Sequence, residues 1–429
     1  MKHSYLLPAS MVILLACQNG NEKKEARPDQ ASQRIGCYST KTADKDWYAS
    51  DKKAPRFEGL EGIDFKISTS NEEAQQYFNQ GMMLAYGFNH AEAARSFYQA
   101  IRLDTTCAMA YWGFAYVLGP NYNAGMEEDN FQRAYKAVLA AKRFSGNCTP
   151  KEIALINALA SRYAAEPPAD RSSLDMAYAT AMKKVYEKYA SDPDVGALYA
   201  EALMDIHPWD LYDKKTKQPK PWTHELLSVL ERLIKEHPRH AGANHFYIHA
   251  LETSAQPEKA FASARLLDSL VPGAGHLVHM PSHIYINTGD YHQGSLSNIR
   301  AVAVDSIYTT ACHAQGAYPL SYYPHNYHFL VATATLEGRQ ALAWDAAIRL
   351  QRHTAEDIMR EPGWGTLQHY YSIPYYIAVK FSMWDTILAI PIPAKDLVYP
   401  RAVWHYARGM AYLGKHDLPS AQKESDALR

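Results

Sequence analysis

The sequence predicts an all-α fold, an array of antiparallel helix hairpins stacked in series, and three observations carry that expectation. From about residue 70 onward apolar residues recur at helical spacing, and no segment longer than a few residues alternates as a strand would. Pro238 and Pro272, His245 and His279, and His249 and His283 are each 34 residues apart, the trace left by one supersecondary unit repeated in tandem. With 47% hydrophobic residues against 21% charged over 429 residues, the chain carries core enough to exclude a disordered or fibrous protein.

The first segment, residues 1–16, opens Met1-Lys2-His3 and continues as a mostly apolar run from Tyr5 to Ala16, well short of the roughly 20 residues of a spanning helix. It reads as a signal peptide. Its end, Leu14-Leu15-Ala16-Cys17, resembles the lipobox of bacterial lipoproteins, which implies cleavage before Cys17, lipidation of that residue and a lipid anchor in the cell envelope, in the outer membrane of a Gram-negative cell, on its periplasmic or its surface face. Residues 17–68, rich in Lys, Asp, Gln, Ser and Gly without a helical period, read as a solvated tether. The remainder, 69–429, is the helical array.

Ser70 and Glu73 form a capping-box pattern that starts the first helix. Ala74 to Asp104 reads as two helices joined at Asn89-His90, with Gly81, Ala93, Phe97 and Ala100 as small, small, large and small residues at a close helix crossing. A second unit starts near Ala108, its turn lengthened by Gly119 to Asn123. Further hairpins are expected at about 151–189, 194–236, 240–270, 274–308, 323–353 and 366–390, with a last pair from Ala402, and insertions at 214–221 and 309–323. The pattern resembles the tetratricopeptide repeat, with Thr105 where that family usually has proline. The resemblance implies a right-handed superhelical α-solenoid of eight or nine hairpins whose first helices line a concave groove, where proteins or peptides bind. The stretches Phe88-Asn89-His90-Ala91-Glu92-Ala93, Cys107 to Gly113 and Gly275 to His283 resemble a His-rich bacterial branch of that family.

The histidines between Glu201 and His283 are far denser than elsewhere. His245 and His249 are four apart and share a helix face; His279 and His283 repeat the pair in the next unit. Packed helices lie roughly 8–10 Å apart, so the four rings could converge on one transition-metal ion, Zn, Cu, Fe or Ni. Glu252, three after His249, would be a further ligand or would orient an imidazole; His207, His276 and His328 are accessory candidates. Pro281 either kinks the second helix or delays its start, which would cost His279 and His283 their shared face. The competing explanation is that duplication copied a structural histidine. His224, His237 and His240 read as ordinary histidines bonded to backbone or to some of the 31 tyrosines.

Lys and Arg total 44 against 45 Asp and Glu, leaving no net field for nucleic acid or an anionic bilayer. There is no Gly-rich phosphate loop, zinc-protease helix or nucleophile elbow. Trp112, Tyr116, Trp209 and Trp222 are candidates to stack on a peptide or glycan in the groove. Cys107 and Cys148 fall on one edge of the array, as a disulfide or as two separate buried thiols. Two functions compete: a membrane-tethered scaffold that binds a protein, peptide or glycan, and a metalloenzyme, hydrolase or oxidoreductase, built on the histidines.

Overall fold

Tandem helix hairpins are what the computed structural model contains, and it describes residues 45–312, 322–361 and 363–428. The signal segment, Cys17 and the first part of the tether lie outside the described residues. After the one-turn α1 (Lys45–Tyr48) come nine hairpins among the described residues. They are α2 (Glu72–Tyr86) with α3 (His90–Leu103), α4 (Ala108–Leu118) with α5 (Phe131–Phe144), α6 (Pro150–Ala160) with α7 (Ser172–Lys188), and α8 (Pro193–Asp205) with α9 (Thr223–Glu236). Then follow α10 (Ala241–Leu251) with α11 (Phe261–Leu270), α12 (Gly275–His279) and α13 (Pro281–Thr288) with α14 (Tyr291–Cys312), and α15 (Tyr323–Leu336) with α16 (Gln340–His353). The last two are α17 (Gly365–Lys380) with α18 (Trp384–Ala389) and α19 (Val398–Gly414) with α20 (Leu418–Ala427). The chain is thus an all-helical α-solenoid, each helix packing on the next in sequence.

Local chemistry sets the ends of these helices. The first helix is capped by Asn71, one residue after the expected Ser70, whose side chain accepts from the Ala74 N–H at 3.0 Å. Thr149 and Glu152 form a complete capping box on α6. The same Glu152 carboxylate accepts from the backbone and hydroxyl of Ser68 at 2.6 and 2.5 Å.

That bond belongs to a correction at the N-terminal side. The tether expected over 17–68 is packed in its later part: Ala54, Leu60, Phe65 and Ile67 are buried, and Gln80 holds the strap through Phe57 N–H and the Pro55 carbonyl. The apolar anchors are spaced too irregularly to register as a period in a polar background.

The close crossing read from Gly81 and Phe97 is present. The Phe97 ring fills the space where both glycines lack a side chain; a Cβ on Gly81 would lie 2.7 Å from it and one on Gly113 2.4 Å. Gly113→Ala should therefore overpack this contact and cost about 1–3 kcal/mol, read as a lower urea midpoint at unchanged slope; an unchanged midpoint would show that Phe97 can move aside.

The array closes on its own first hairpin. Tyr86, at the end of α2, lies against Gly242 of α10, where an added Cβ would sit 2.8 Å from the Tyr86 ring, and its hydroxyl donates to Asp194 at 2.7 Å. Two of the four side chains expected to line an open groove, Trp112 and Tyr116, are consequently core, whereas Trp209 is half exposed. Trp112 and Tyr116 are each 1% exposed and stacked on one another, with the Trp112 indole N–H bonded to the Leu155 carbonyl. Cys107 and Cys148 are free thiols, the second of the two sequence alternatives.

Candidate metal centre

Helix α10 puts His245 and His249 on one face, ring centroids 4.8 Å apart and both side chains buried. The last carbonyls of a helix lack intrahelical partners, and the one on Tyr86 accepts from His245 Nδ1 at 2.6 Å. His249 Nδ1 donates to Glu252 Oε1 at 2.6 Å. With the proton fixed on Nδ1, each Nε2 carries a lone pair. Both Nε2 atoms are buried without a hydrogen-bond partner among the described residues. A polar atom abandoned in this way costs about 1–3 kcal/mol, so two of them side by side require an explanation. His276, 2% exposed, brings a third nitrogen, and the three lie within 4.8 Å of one another.

A second triad adjoins the first. Met280 keeps helical dihedrals (φ −52°, ψ −36°) between α12 and α13, so Pro281 interrupts the hydrogen bonds without turning the face away. His279 and His283 keep the 4.8 Å ring separation of the first pair. His279 Nδ1 donates to Asn298 Oδ1 at 2.6 Å, the amide being oriented by its own bond to the Gly294 carbonyl. His283 Nδ1 donates to Glu252 Oε2 at 2.5 Å. The two Nε2 atoms meet at 2.8 Å, a contact that a shared proton or a cation would join. His325, on the first turn of α15, completes this triad.

Glu252 thus holds one histidine of each triad with each carboxylate oxygen. Burial alone would raise its carboxyl, yet His283 and His249 outweigh burial and hold it well below the usual carboxylate range. Burial also lowers His245, His249, His276 and His279, and brings His325 to about 3. For these five imidazoles burial favours the neutral form, the form in which histidine binds a metal.

The centre has an aromatic wall and an opening. Phe88, in the turn of the first hairpin, has a left-handed backbone (φ 54°) and lays its ring 4.6 Å from His245. Such a conformation is uncommon outside glycine and concentrates where function requires it. On the other side Trp209, also left-handed (φ 56°) and half exposed, stacks on Tyr122 at 5.2 Å and meets His249 edge-on. Beneath Trp209 lies a cavity of about 170 Å³ lined by His249, His276, His283, Tyr322 and His325.

The four histidines expected to share one ion are therefore divided between two triads, His245 and His249 in one, His279 and His283 in the other. His276 moves from accessory to full member, and Glu252 orients rings instead of joining the nitrogen set. His207 stacks on Trp222 at 4.1 Å, outside both triads, and Trp222 donates its indole N–H to the Asp210 carbonyl. His328 packs beside Tyr370 and His369. Its neighbour His325, missed by the sequence reading, takes the place in the site. Thr309 to Cys312 of the expected insertion belong to α14, and Tyr323 opens α15 outside the 34-residue frame, so spacing could not choose between the two. His240 is structural, capping α10 through the Ala243 N–H.

No family model and no curated protein sequence matches this chain. Among solved structures, the human IFIT1 dimer with m7Gppp-AAAA is 13% identical, covers 84% of this chain and 90% of its own, and has a TM-score of 0.32. The APC/C hetero-tetramer Cut9-Hcn1 is 15% identical, covers 84% and 75% respectively, and has a TM-score of 0.25.

Proposed function

We propose that this protein is a transition-metal-binding α-solenoid, in which His245, His249 and His276 hold one ion and leave a coordination position open toward the cavity. The observation that carries this reading is the pair of buried, partnerless Nε2 atoms whose Nδ1 positions are fixed by the Tyr86 carbonyl and Glu252. A carbonyl or carboxylate on the far nitrogen is the usual support of a ligating histidine. Three neutral imidazoles suit Zn, Cu, Fe or Ni, and a three-ligand site leaves room for water or a substrate, the arrangement of catalytic as opposed to structural centres. The lipobox-like Cys17 supports a protein tethered to the cell envelope.

The test is elemental analysis of the purified full-length protein after exposure to each metal in turn and exhaustive dialysis. At least one equivalent is expected to remain, and to be reduced in His245→Ala/His249→Ala but not in His207→Ala/His328→Ala, with far-ultraviolet circular dichroism confirming the fold of each. A parent protein that retains no metal overturns the proposal. For the tether, Cys17→Ser should move the protein from the membrane to the soluble fraction; unchanged membrane association would remove the lipid anchor from the reading.

A second reading, a scaffold for a protein partner, is favoured by a surface groove of about 570 Å³ between α6 and α7, where Ala154, Ala158, Ala177 and Ala181 surround Met176, which is half exposed. It is compatible with a metal centre on the opposite hairpins.

A further inference from the structure

We infer that the two triads form one dinuclear centre, the second ion held by His279, His283 and His325, and that the pair takes a small anionic ligand bridging the ions within the shared cavity. This rests on the metal reading for the first triad and extends it by three independent observations.

The first is the second triad's own geometry. With Nδ1 of His279 committed to Asn298 and Nδ1 of His283 to Glu252, the two Nε2 atoms meet at 2.8 Å, and with His325 the three nitrogens lie within 4.8 Å of one another. A contact this close between two ring nitrogens in a buried site needs a positive centre between them, either a shared proton or a metal ion. Two nitrogens on a tetrahedral ion with bonds of 2.0–2.1 Å stand about 3.3 Å apart, so the rings need open only by roughly half an ångström to admit one.

The second is adjacency. His249 of one triad and His283 of the other are 5.9 Å apart by ring centroids, and His276 and His279 are 5.8 Å apart. One carboxylate, Glu252, fixes a ring in each set, so the protonation state and position of one triad are mechanically tied to the other. The 34-residue repeat explains the origin: each unit supplies a histidine pair at the same helix positions, and packing of consecutive hairpins brings the copies together.

The third is the charge of the cavity. It is lined by His249 and His276 from one triad, His283 and His325 from the other, and by Asn123, Ala124, Trp209 and Tyr322, with no Lys, Arg, Asp or Glu in its wall among the described residues. Two divalent ions held by six imidazole nitrogens with a single buried carboxylate beside them would leave a large uncompensated positive charge at low dielectric, which is costly. An anion from solvent is the remaining source of compensation. The cavity of about 170 Å³ that opens on both triads has room for such an anion, and the ligand class is hydroxide or a small inorganic anion.

The test uses copper(II) and azide on the full-length protein. Expected are two equivalents of copper per chain, an electron-paramagnetic-resonance intensity well below two spins because the ions are coupled, and saturation by one azide per two copper ions. His279→Ala/His283→Ala should bind one copper showing its full spin, and His245→Ala/His249→Ala should likewise retain one. One equivalent that is indifferent to His279→Ala/His283→Ala overturns the second site while leaving the first. Two equivalents with full spin intensity and one azide per ion overturn the shared centre. No copper in the parent overturns the metal reading itself.

Discussion

Glu252→Gln is expected to weaken metal retention by about 10- to 100-fold, the usual consequence of losing an orienting partner, without unfolding the protein. The carboxylate accepts a proton-bearing Nδ1 with each oxygen, from His249 and from His283. Glutamine has nearly the same shape but only one acceptor; its other end is an N–H₂ donor. Whichever histidine meets that end must present an unprotonated Nδ1, so its proton moves to Nε2, and the nitrogen aimed at the metal becomes a donor that cannot ligate. Equilibrium dialysis with each metal gives the affinity. Glu252→Ala is a harsher change, since it leaves two buried N–H groups orphaned at about 1–3 kcal/mol each, and should lower the urea midpoint as well. Wild-type affinity in the glutamine variant would mean that Glu252 does not set the tautomers, and would remove the main link between the two triads.

The order of hairpins was legible because each unit carries its own periodic apolar stripe, and the 34-residue interval placed His245, His249, His279 and His283 at equivalent positions. What the interval could not convey is how far consecutive units turn relative to one another. That rotation sends His276 toward the first pair and brings in His325 from α15, which starts outside the 34-residue frame. Nor could local pattern show that the turn at Tyr86 to Phe88 returns to α10: Tyr86 is separated from His245 by 159 residues, and its carbonyl is a backbone group that no side-chain pattern records. The tether was misjudged for a related reason. Phe65 and Ile67 are anchors in an extended strap, which buries residues by the pockets available along a surface already formed, not by a period of its own. Trp112 and Tyr116 were placed on the correct helix but assigned to a groove that the closed array fills.

The largest stability effect is expected away from the histidines, at Arg162. Its side chain is fully buried; it binds Asp205 at 2.5 Å, donates to the Pro120 carbonyl at 3.0 Å and lies over the Tyr178 ring, with Asp175 at 3.6 Å. Arg162→Met would strand Asp205, 2% exposed, beside Glu201, whose two carboxylate oxygens already lack partners among the described residues. Removing one member of a buried pair costs about 3–5 kcal/mol, and Arg162→Met/Asp205→Asn should recover much of it, because the uncompensated charge is gone. The pH dependence follows from the carboxyls. Burial raises Asp205 to about 7 even with Arg162 against it, and burial with the neighbouring Asp205 raises Glu201 well above its ordinary value. In the unfolded chain both lose their protons near pH 4. The folded state therefore holds protons on these two groups that the unfolded state has released, and their contribution to stability is present below about pH 4 and is lost as pH rises toward 7. Arg162→Met drives Asp205 further in the same direction, so its cost should be small near pH 5, where Asp205 is protonated in the variant, and large near pH 8. Urea midpoints of parent and variant at those two pH values measure the difference. A loss equal at both would assign the destabilisation to the cavity left by the missing guanidinium and not to a buried charge.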